Sequence, residues 1–158
     1  MKKILLSIGI LLASFGAVYA QDEIDQFQKE LGKEKKDLVK MAMDLSPADS
    51  VKFWPLYNNY EKERQKLGKD RIKTYSAYAD NMENLTNAKA DELIVRLLKN
   101  DVELTRLRQK YYTSFKTTMN ALQAAKFMQV ETYFDTSIKS AIQEELPFIG
   151  DLEGMKKQ

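Results

Sequence analysis

The chain has 158 residues, of which 25 are Lys or Arg and 23 are Asp or Glu, and it contains neither His nor Cys. The absence of Cys excludes disulfide bonds, and the absence of His removes the commonest general base and the commonest transition-metal ligand. After the first 20 residues the glycines are scattered singly, so the sequence has no glycine-rich phosphate loop. We therefore predict that the protein is not an enzyme and that it binds no metal or cofactor.

The first 20 residues have the pattern of an export signal. Two lysines precede an apolar run over residues 4–18, and small residues end at Ala20, directly before Gln21. This pattern predicts a cleaved signal peptide at residues 1–20 and a periplasmic mature chain of 138 residues, with no Cys for a lipid anchor. The run is short for a membrane span, so no stable membrane insertion is expected. The mature chain has 23 basic and 23 acidic residues, a balance that argues against nucleic acid as a partner.

Three helix-start signals divide the mature chain, each an apolar residue followed by a capping side chain. They are Leu45-Ser46, Leu85-Thr86 and Met119-Asn120. Ser, Thr and Asn accept hydrogen bonds from the free amides at a helix start. Asp49 and Gln123 lie three residues after their caps, where a side chain can reach back to the amide of the cap. Pro47 stands at the first helical position, which tolerates its missing N–H.

The first predicted helix covers residues 23–43. Its apolar residues recur at steps of three and four, with a gap over the charged stretch 32–36. Interspersed acidic residues favour a solvated face for the lysines of this segment over an anion-binding surface. These lysines are Lys33, Lys35, Lys36 and Lys40.

The second predicted helix runs from the Ser46 cap to about residue 82. Pro55 falls inside it and is expected to bend it, because proline removes a backbone donor and collides with the preceding turn. Gly68 is expected to be a second weak point, costing up to about 1 kcal/mol relative to Ala.

The third and fourth helices are predicted to begin after Thr86 and Asn120. The third carries the clearest apolar stripe of the chain, and the fourth ends at Leu146. The stripe consists of Leu93, Ile94, Leu97, Leu98, Leu104, Leu107, Tyr111, Phe115 and Met119. At 1.5 Å per residue, the second and third helices would each span roughly 45–55 Å. The sequence therefore predicts an all-α fold: an elongated single domain of four long amphipathic helices over residues 21–146, followed by a flexible tail at 147–158.

The capped segments resemble the Spy/CpxP family of periplasmic proteins, which carries two L-T-x-x-Q motifs at helix starts. Residues 45–49 (Leu-Ser-Pro-Ala-Asp) resemble the first copy, and residues 119–123 (Met-Asn-Ala-Leu-Gln) resemble the second. The resemblance implies a thin helical hairpin that dimerises and shelters unfolded envelope proteins without ATP. Some members instead dampen an envelope-stress sensor kinase. Others bind metals, a role that the absence of His and Cys puts in doubt here.

A second class of periplasmic chaperone, trimeric with helical tentacles on a small β body, has a similar length and signal. That architecture needs strand-forming segments at both ends of the mature chain. Neither residues 21–30 nor residues 144–158 show an alternating β-branched run, so this class ranks lower.

Aromatic and basic residues on the second and third helices are the candidate client-binding residues. A holding chaperone needs basic residues to attract clients and apolar area to retain them. The candidates are Trp54, Tyr57, Tyr60, Arg64, Arg71, Arg108 and Tyr112. For the aromatic cluster of the second helix, core packing is favoured about two to one over client binding, and Trp54 is the better functional candidate because it leaves the main stripe.

The function predicted from these features is an ATP-independent periplasmic holding chaperone, active as a homodimer on unfolded or aggregation-prone envelope proteins under envelope stress. The alternative is a regulatory partner that binds one membrane-bound sensor kinase.

Overall fold

A computed structural model gives the structure of the protein for residues 21–146 and for residue 149. The predicted signal peptide at residues 1–20 lies outside the described residues. The predicted C-terminal tail also lies outside them, apart from Ile149.

Four helices account for nearly all of the described residues. They are α1 (Gln21–Met43), α2 (Pro47–Asn81), α3 (Asn87–Thr118) and α4 (Ala121–Glu145), and a short 3-10 turn, Met82–Asn84, follows α2. No strand occurs within residues 21–146. The predicted all-α fold with long helices is therefore confirmed, and each helix begins and ends within about two residues of the expected position.

The predicted caps form at all three helix starts. The Ser46 hydroxyl accepts a hydrogen bond from the Asp49 amide at 3.1 Å, and Thr86 caps α3 in the same way at 3.2 Å. Asn120 Oδ1 accepts from the Gln123 amide at 2.9 Å. Asp49 and Gln123 were expected to accept hydrogen bonds from the backbone amides of their cap residues, but the structure shows other environments for both side chains. The Asp49 carboxylate accepts a bond from the Ser46 hydroxyl at 2.9 Å, and Gln123 Oε1 is buried without a partner among the described residues.

The helices α2 and α3 form a long antiparallel hairpin, and α4 folds back along α3. The first helix packs against α2 and α4. One core lies towards the end where α2 and α4 begin, and we call it the aromatic core. It consists of Val39, Met43, Phe53, Tyr57, Tyr60, Leu104, Leu107, Tyr111, Phe115, Ala124 and Phe127. The apolar residues before two of the caps, Leu45 and Met119, pack against it.

The opposite end of the bundle, which we call the distal end, is where α2 ends and α3 begins. Among the residues that the structure describes, its buried apolar cluster consists of Ala141 and Ile142 with partly buried neighbours, and Leu93 is also buried. Polar contacts join the helices here instead. Arg71 Nε donates to Asn100 Oδ1 at 2.9 Å and the same guanidinium pairs with Asp101, while Asn100 Nδ2 donates to the Leu67 carbonyl at 2.8 Å.

The position of Gly68 explains why the helix tolerates it. A Cβ atom on Gly68 would lie 2.9 Å from Nε2 of Gln28 on α1, and a Cβ atom on Gly32 would lie 3.0 Å from Nε2 of Gln65 on α2. Each glycine therefore makes room for a glutamine side chain of the facing helix. Helix α2 also continues through Pro55, whose ring is exposed to solvent.

None of the helices in the described part of the chain combines the length and the apolar character that crossing a membrane requires.

Candidate functional site

An exposed apolar surface runs along the first half of α3. Ile94, Val95, Leu98 and Val102 form it, and we call it the outer stripe. Leu98 is 60% exposed and Val102 is 48% exposed. Because residues three and four apart lie on the same face of a helix, these four side chains are neighbours. Aliphatic side chains grouped on the solvent face of a helix are a candidate binding surface.

Helix α3 therefore carries two apolar faces, whereas the sequence predicts a single stripe. The buried face consists of Leu93, Leu104, Leu107, Tyr111 and Phe115. Ile94 and Leu98, which were grouped with these residues, point to solvent instead, because a helix turns by about 100° per residue. Val95 and Val102 were missed. The sequence feature that indicates this second face is the spacing of residues 95, 98 and 102, which are three and four positions apart.

Charges of both signs border the outer stripe. Residues 91–106 contain four acidic and three basic side chains. Arg96 pairs with Glu92 at 3.6 Å, and Arg106 pairs with Glu103 at 2.6 Å. The outer stripe is therefore an aliphatic surface bordered by charges of both signs.

A groove of about 530 Å³ lies beside the stripe, between α2 and α3. It is lined by Glu63, Lys66, Leu67, Glu103, Arg106, Leu107 and Lys110. At its edge, Lys110 Nζ and the Tyr111 hydroxyl donate to Glu63 at 2.8 and 2.7 Å. These two hydrogen bonds hold the pKa of Glu63 below its usual value, and burial together with Glu63 raises the pKa of Tyr111 to about 12. The groove thus has an apolar floor between ion pairs.

The residues predicted to bind clients do not form one surface. Tyr57, Tyr60 and Arg71 are buried, so a client could reach them only if the bundle opened. Arg64 pairs with Glu61 at 2.7 Å, and Arg108 pairs with Asp135 at 3.3 Å. The remaining two, Trp54 and Tyr112, are partly buried against the aromatic core. Core packing of the α2 aromatic residues is the alternative that the sequence favoured. A client-binding role for the seven candidate residues stays a prediction.

A buried ion cluster, which the sequence did not predict, joins three helices. Lys35 on α1, predicted to be solvated, has a side chain with no exposed surface. Its Nζ lies 2.6 Å from Glu61 Oε2 on α2 and 2.8 Å from Glu131 Oε1 on α4. The Tyr60 hydroxyl donates to Glu131 at 2.6 Å, and Arg64 holds Glu61 through bonds of 2.7 to 3.1 Å. The sequence feature that indicates this burial is the position of Lys35, which lies four residues after Leu31 and four before Val39.

The pKa shifts follow from this burial. Burial lowers the pKa of Lys35 and Arg64 lowers it further, against the opposing effect of the two glutamates. Burial alone would raise the pKa of Glu61, but Lys35 and Arg64 together lower it to about 2. Burial and the neighbouring Glu131 raise the pKa of Tyr60 far above its usual range. The Glu61 carboxylate is therefore fixed in its charged form throughout the physiological range.

Within the described residues, no group of three or more acidic side chains is arranged to hold a metal ion. Comparison of the chain with protein-family models, with curated proteins and with solved structures gives no match. The resemblance to the Spy/CpxP family therefore stays an interpretation of the two capped motifs.

Proposed function

We propose that the protein is an ATP-independent holding chaperone of the periplasm, which binds unfolded or aggregation-prone envelope proteins on the outer stripe of α3. The observation that carries the proposal is the exposure of Ile94, Val95, Leu98 and Val102 on one helix face. A soluble domain rarely exposes a contiguous aliphatic face without using it for binding.

The chemistry of the stripe suits clients without a common sequence. Aliphatic side chains make no directional bonds, so they accept any apolar segment of an unfolded chain. The ion pairs beside the stripe, such as Arg96 with Glu92, keep the surface hydrated when no client is bound. Contacts of this kind favour weak and rapidly reversible binding, which releases a client without ATP.

The proposal includes the homodimer predicted from the sequence. A second copy would cover part of the outer stripe and leave the remainder for clients. Sedimentation equilibrium of the mature chain tests the homodimer separately from client binding. We expect a dimer at micromolar protein concentrations, and a strict monomer would contradict this part of the proposal.

The decisive test compares aggregation of two unrelated denatured proteins with and without the chain. We expect the wild type to suppress both. The double substitution Leu98→Ser with Val102→Ser should raise the concentration needed for half-suppression roughly fivefold or more, because about 1 kcal/mol of apolar contact is lost.

Leu122→Ser provides the matched control. Leu122 is 79% exposed on α4, outside the stripe, so its substitution removes the same kind of surface and should leave suppression unchanged. Failure of the wild type to protect either client would reject the chaperone proposal. Protection that the double substitution does not weaken would reject the stripe as the binding surface.

A further inference from the structure

We infer that the groove between α2 and α4 is a binding site for a lysine-bearing amphipathic helix, and that α1 occupies it as an intramolecular ligand. The site for the lysine consists of Tyr60, Glu61, Glu131 and Phe134, which we call the ammonium site. This inference rests on the packing of α1 and does not depend on the chaperone proposal.

The ammonium site surrounds the Lys35 head group with the chemistry that recognises a cation. Carboxylates from two different helices lie 2.6 and 2.8 Å from Nζ. The rings of Tyr60 and Phe134 lie with their centroids 5.2 and 5.5 Å from the same atom, within the range of cation–π attraction. The Tyr60 hydroxyl fixes Glu131 through a 2.6 Å hydrogen bond. Two charges and two ring faces therefore converge on one position that only a long cationic side chain can fill.

Helix α1 meets this groove along one narrow line. The buried side chains among residues 28–43 stand at steps of three and four, and they are Gln28, Leu31, Lys35, Val39 and Met43. The charged residue stands at the centre of the line, with apolar residues four positions before it and four and eight after it. The recognition pattern is thus a lysine flanked by aliphatic residues on one helix face.

The ion pairs make the docking of α1 conditional on the lysine. A buried charge whose partner is removed is strongly unfavourable, because it retains the cost of losing water without the compensating attraction. Without Lys35, Glu61 would keep Arg64 as a hydrogen-bonded partner, whereas Glu131 would keep the Tyr60 hydroxyl and the more distant charge of Arg64. A helix without a lysine at this position would therefore leave the buried Glu131 carboxylate without a direct ion-pair partner.

The rest of the bundle has a core of its own. Phe53, Tyr57, Phe115 and Phe127, all from α2, α3 and α4, pack ring against ring with centroids 4.5 to 6.0 Å apart. Among residues 28–43 of α1, Val39 and Met43 belong to the aromatic core. It is joined to α2 by residues 44–46 alone, and Asp44 in that connection has a φ of 44°, a conformation uncommon for residues other than glycine. Release of α1 would leave the aromatic packing of the other three helices in place.

The experiment measures binding of a fluorescent α1 peptide, residues 21–43, to the mature chain carrying Lys35→Met. In this host the internal α1 lacks the ammonium group, so the groove is open to a competitor. We expect the wild-type peptide to bind saturably, and at least ten times more tightly than a peptide that carries Lys35→Met. The wild-type chain should bind the same peptide at least ten times more weakly than the Lys35→Met chain, because its own α1 fills the site.

Lys33→Met in the peptide is the matched control, since Lys33 is exposed on the same helix and the change in charge is identical. That peptide should bind the host as the wild-type peptide does. Equal binding of the Lys35→Met and wild-type peptides, or no saturable binding to a host with a helical circular dichroism spectrum, would overturn the inference.

Hydrogen exchange on the wild-type chain tests the inference even if the Lys35→Met host does not fold. Amides of residues 28–43 should exchange at least ten times faster than amides around Tyr57 and Tyr111, because α1 can leave while the aromatic packing stays intact. Equal exchange in both regions would show that α1 opens only with the whole bundle, and the inference would then be wrong.

Discussion

At the end of the bundle where α2 and α4 begin, the helices are held together by large aromatic rings, whereas at the distal end they are joined mainly by polar bonds. The Phe127 ring contacts four other rings, with centroid distances of 4.5 to 5.9 Å. At the distal end the buried side chains of α2 include Arg71 and Thr74, and α3 contributes Asn100 beside the apolar Leu93. The same hairpin is thus stabilised by two different kinds of contact along its length.

The difference in side chains implies a difference in local stability. Each buried aromatic residue removes about 150–250 Å² of surface from water. A hydrogen bond such as that between Arg71 and Asn100 contributes only about 0.5–3 kcal/mol net, because both groups also bond to water in the unfolded chain. Regions with few buried apolar contacts open locally before the rest of a protein. The outer stripe of α3 begins at residue 94, so the proposed binding surface lies towards the less stable end.

The largest expected effect comes from breaking the aromatic end. Phe127→Ala removes the ring at the centre of the aromatic core and leaves a cavity that rigid neighbours cannot fill. We expect a loss of about 3–5 kcal/mol in the free energy of unfolding, measured by urea denaturation followed by circular dichroism.

Ile142→Ala provides the comparison on the same helix. Ile142 belongs to the small distal cluster, so its truncation should cost less, about 2 kcal/mol. If both substitutions cost the same, the two ends do not differ in stability as their packing implies.

A second effect distinguishes the ion cluster at the inner edge of the aromatic core from the exposed pairs elsewhere. The pKa of Glu61 is about 2 in the folded chain, against an ordinary value of 4.5. The unfolded chain therefore binds more protons between these values, so the contribution of Glu61 is complete above about pH 4.5 and is lost as the pH falls towards 2. The loss should be on the order of 3 kcal/mol, measured by urea denaturation across this range.

Two variants show whether Glu61 is responsible for this acid sensitivity. Glu61→Gln cannot titrate, so the fall in stability between pH 4.5 and 2 should be smaller than in the wild type. Glu103→Gln is the control, because Glu103 forms an exposed pair with Arg106 and such pairs contribute little. An unchanged acid response in Glu61→Gln would contradict the assignment.

The fold could be predicted from the sequence because its signals are local. Ser46, Thr86 and Asn120 each satisfy an amide three residues away, so the helix starts depend on a few neighbouring side chains. Apolar spacing then gave the length of each helix. The role of Gly68 could not be predicted from the sequence. The space that a Cβ atom would need is taken by Gln28, a residue 40 positions earlier that comes close only because α1 packs against α2.

The candidate site was less predictable because it depends on which helix face turns inward. Leu93 and Leu98 are alike in sequence, yet one is 1% exposed and the other 60%. The ion cluster was hidden for the same reason. Lys35, Glu61 and Glu131 are far apart in the chain, and Lys35 and Glu61 each stand next to an exposed lysine in the sequence. Only the register of Lys35 within an apolar stripe distinguished it.

The smallest expected effect tests whether the distal end can loosen by itself. Thr86→Ala removes the hydroxyl that accepts the Lys89 amide, and loss of such a cap costs about 1 kcal/mol. Because few apolar contacts hold this end, we expect the first turn of α3 to fray, with faster hydrogen exchange at the amides of Lys89 and Ala90 and no change near Tyr111. Thr86→Ser keeps the hydroxyl and should restore the wild-type rates. Ser46→Ala removes an equivalent cap beside the aromatic core, where packing of Leu45 and Phe53 holds the helix start, so its local exchange should rise less. Equal fraying at both caps would mean that the aromatic core gives its helix starts no extra protection.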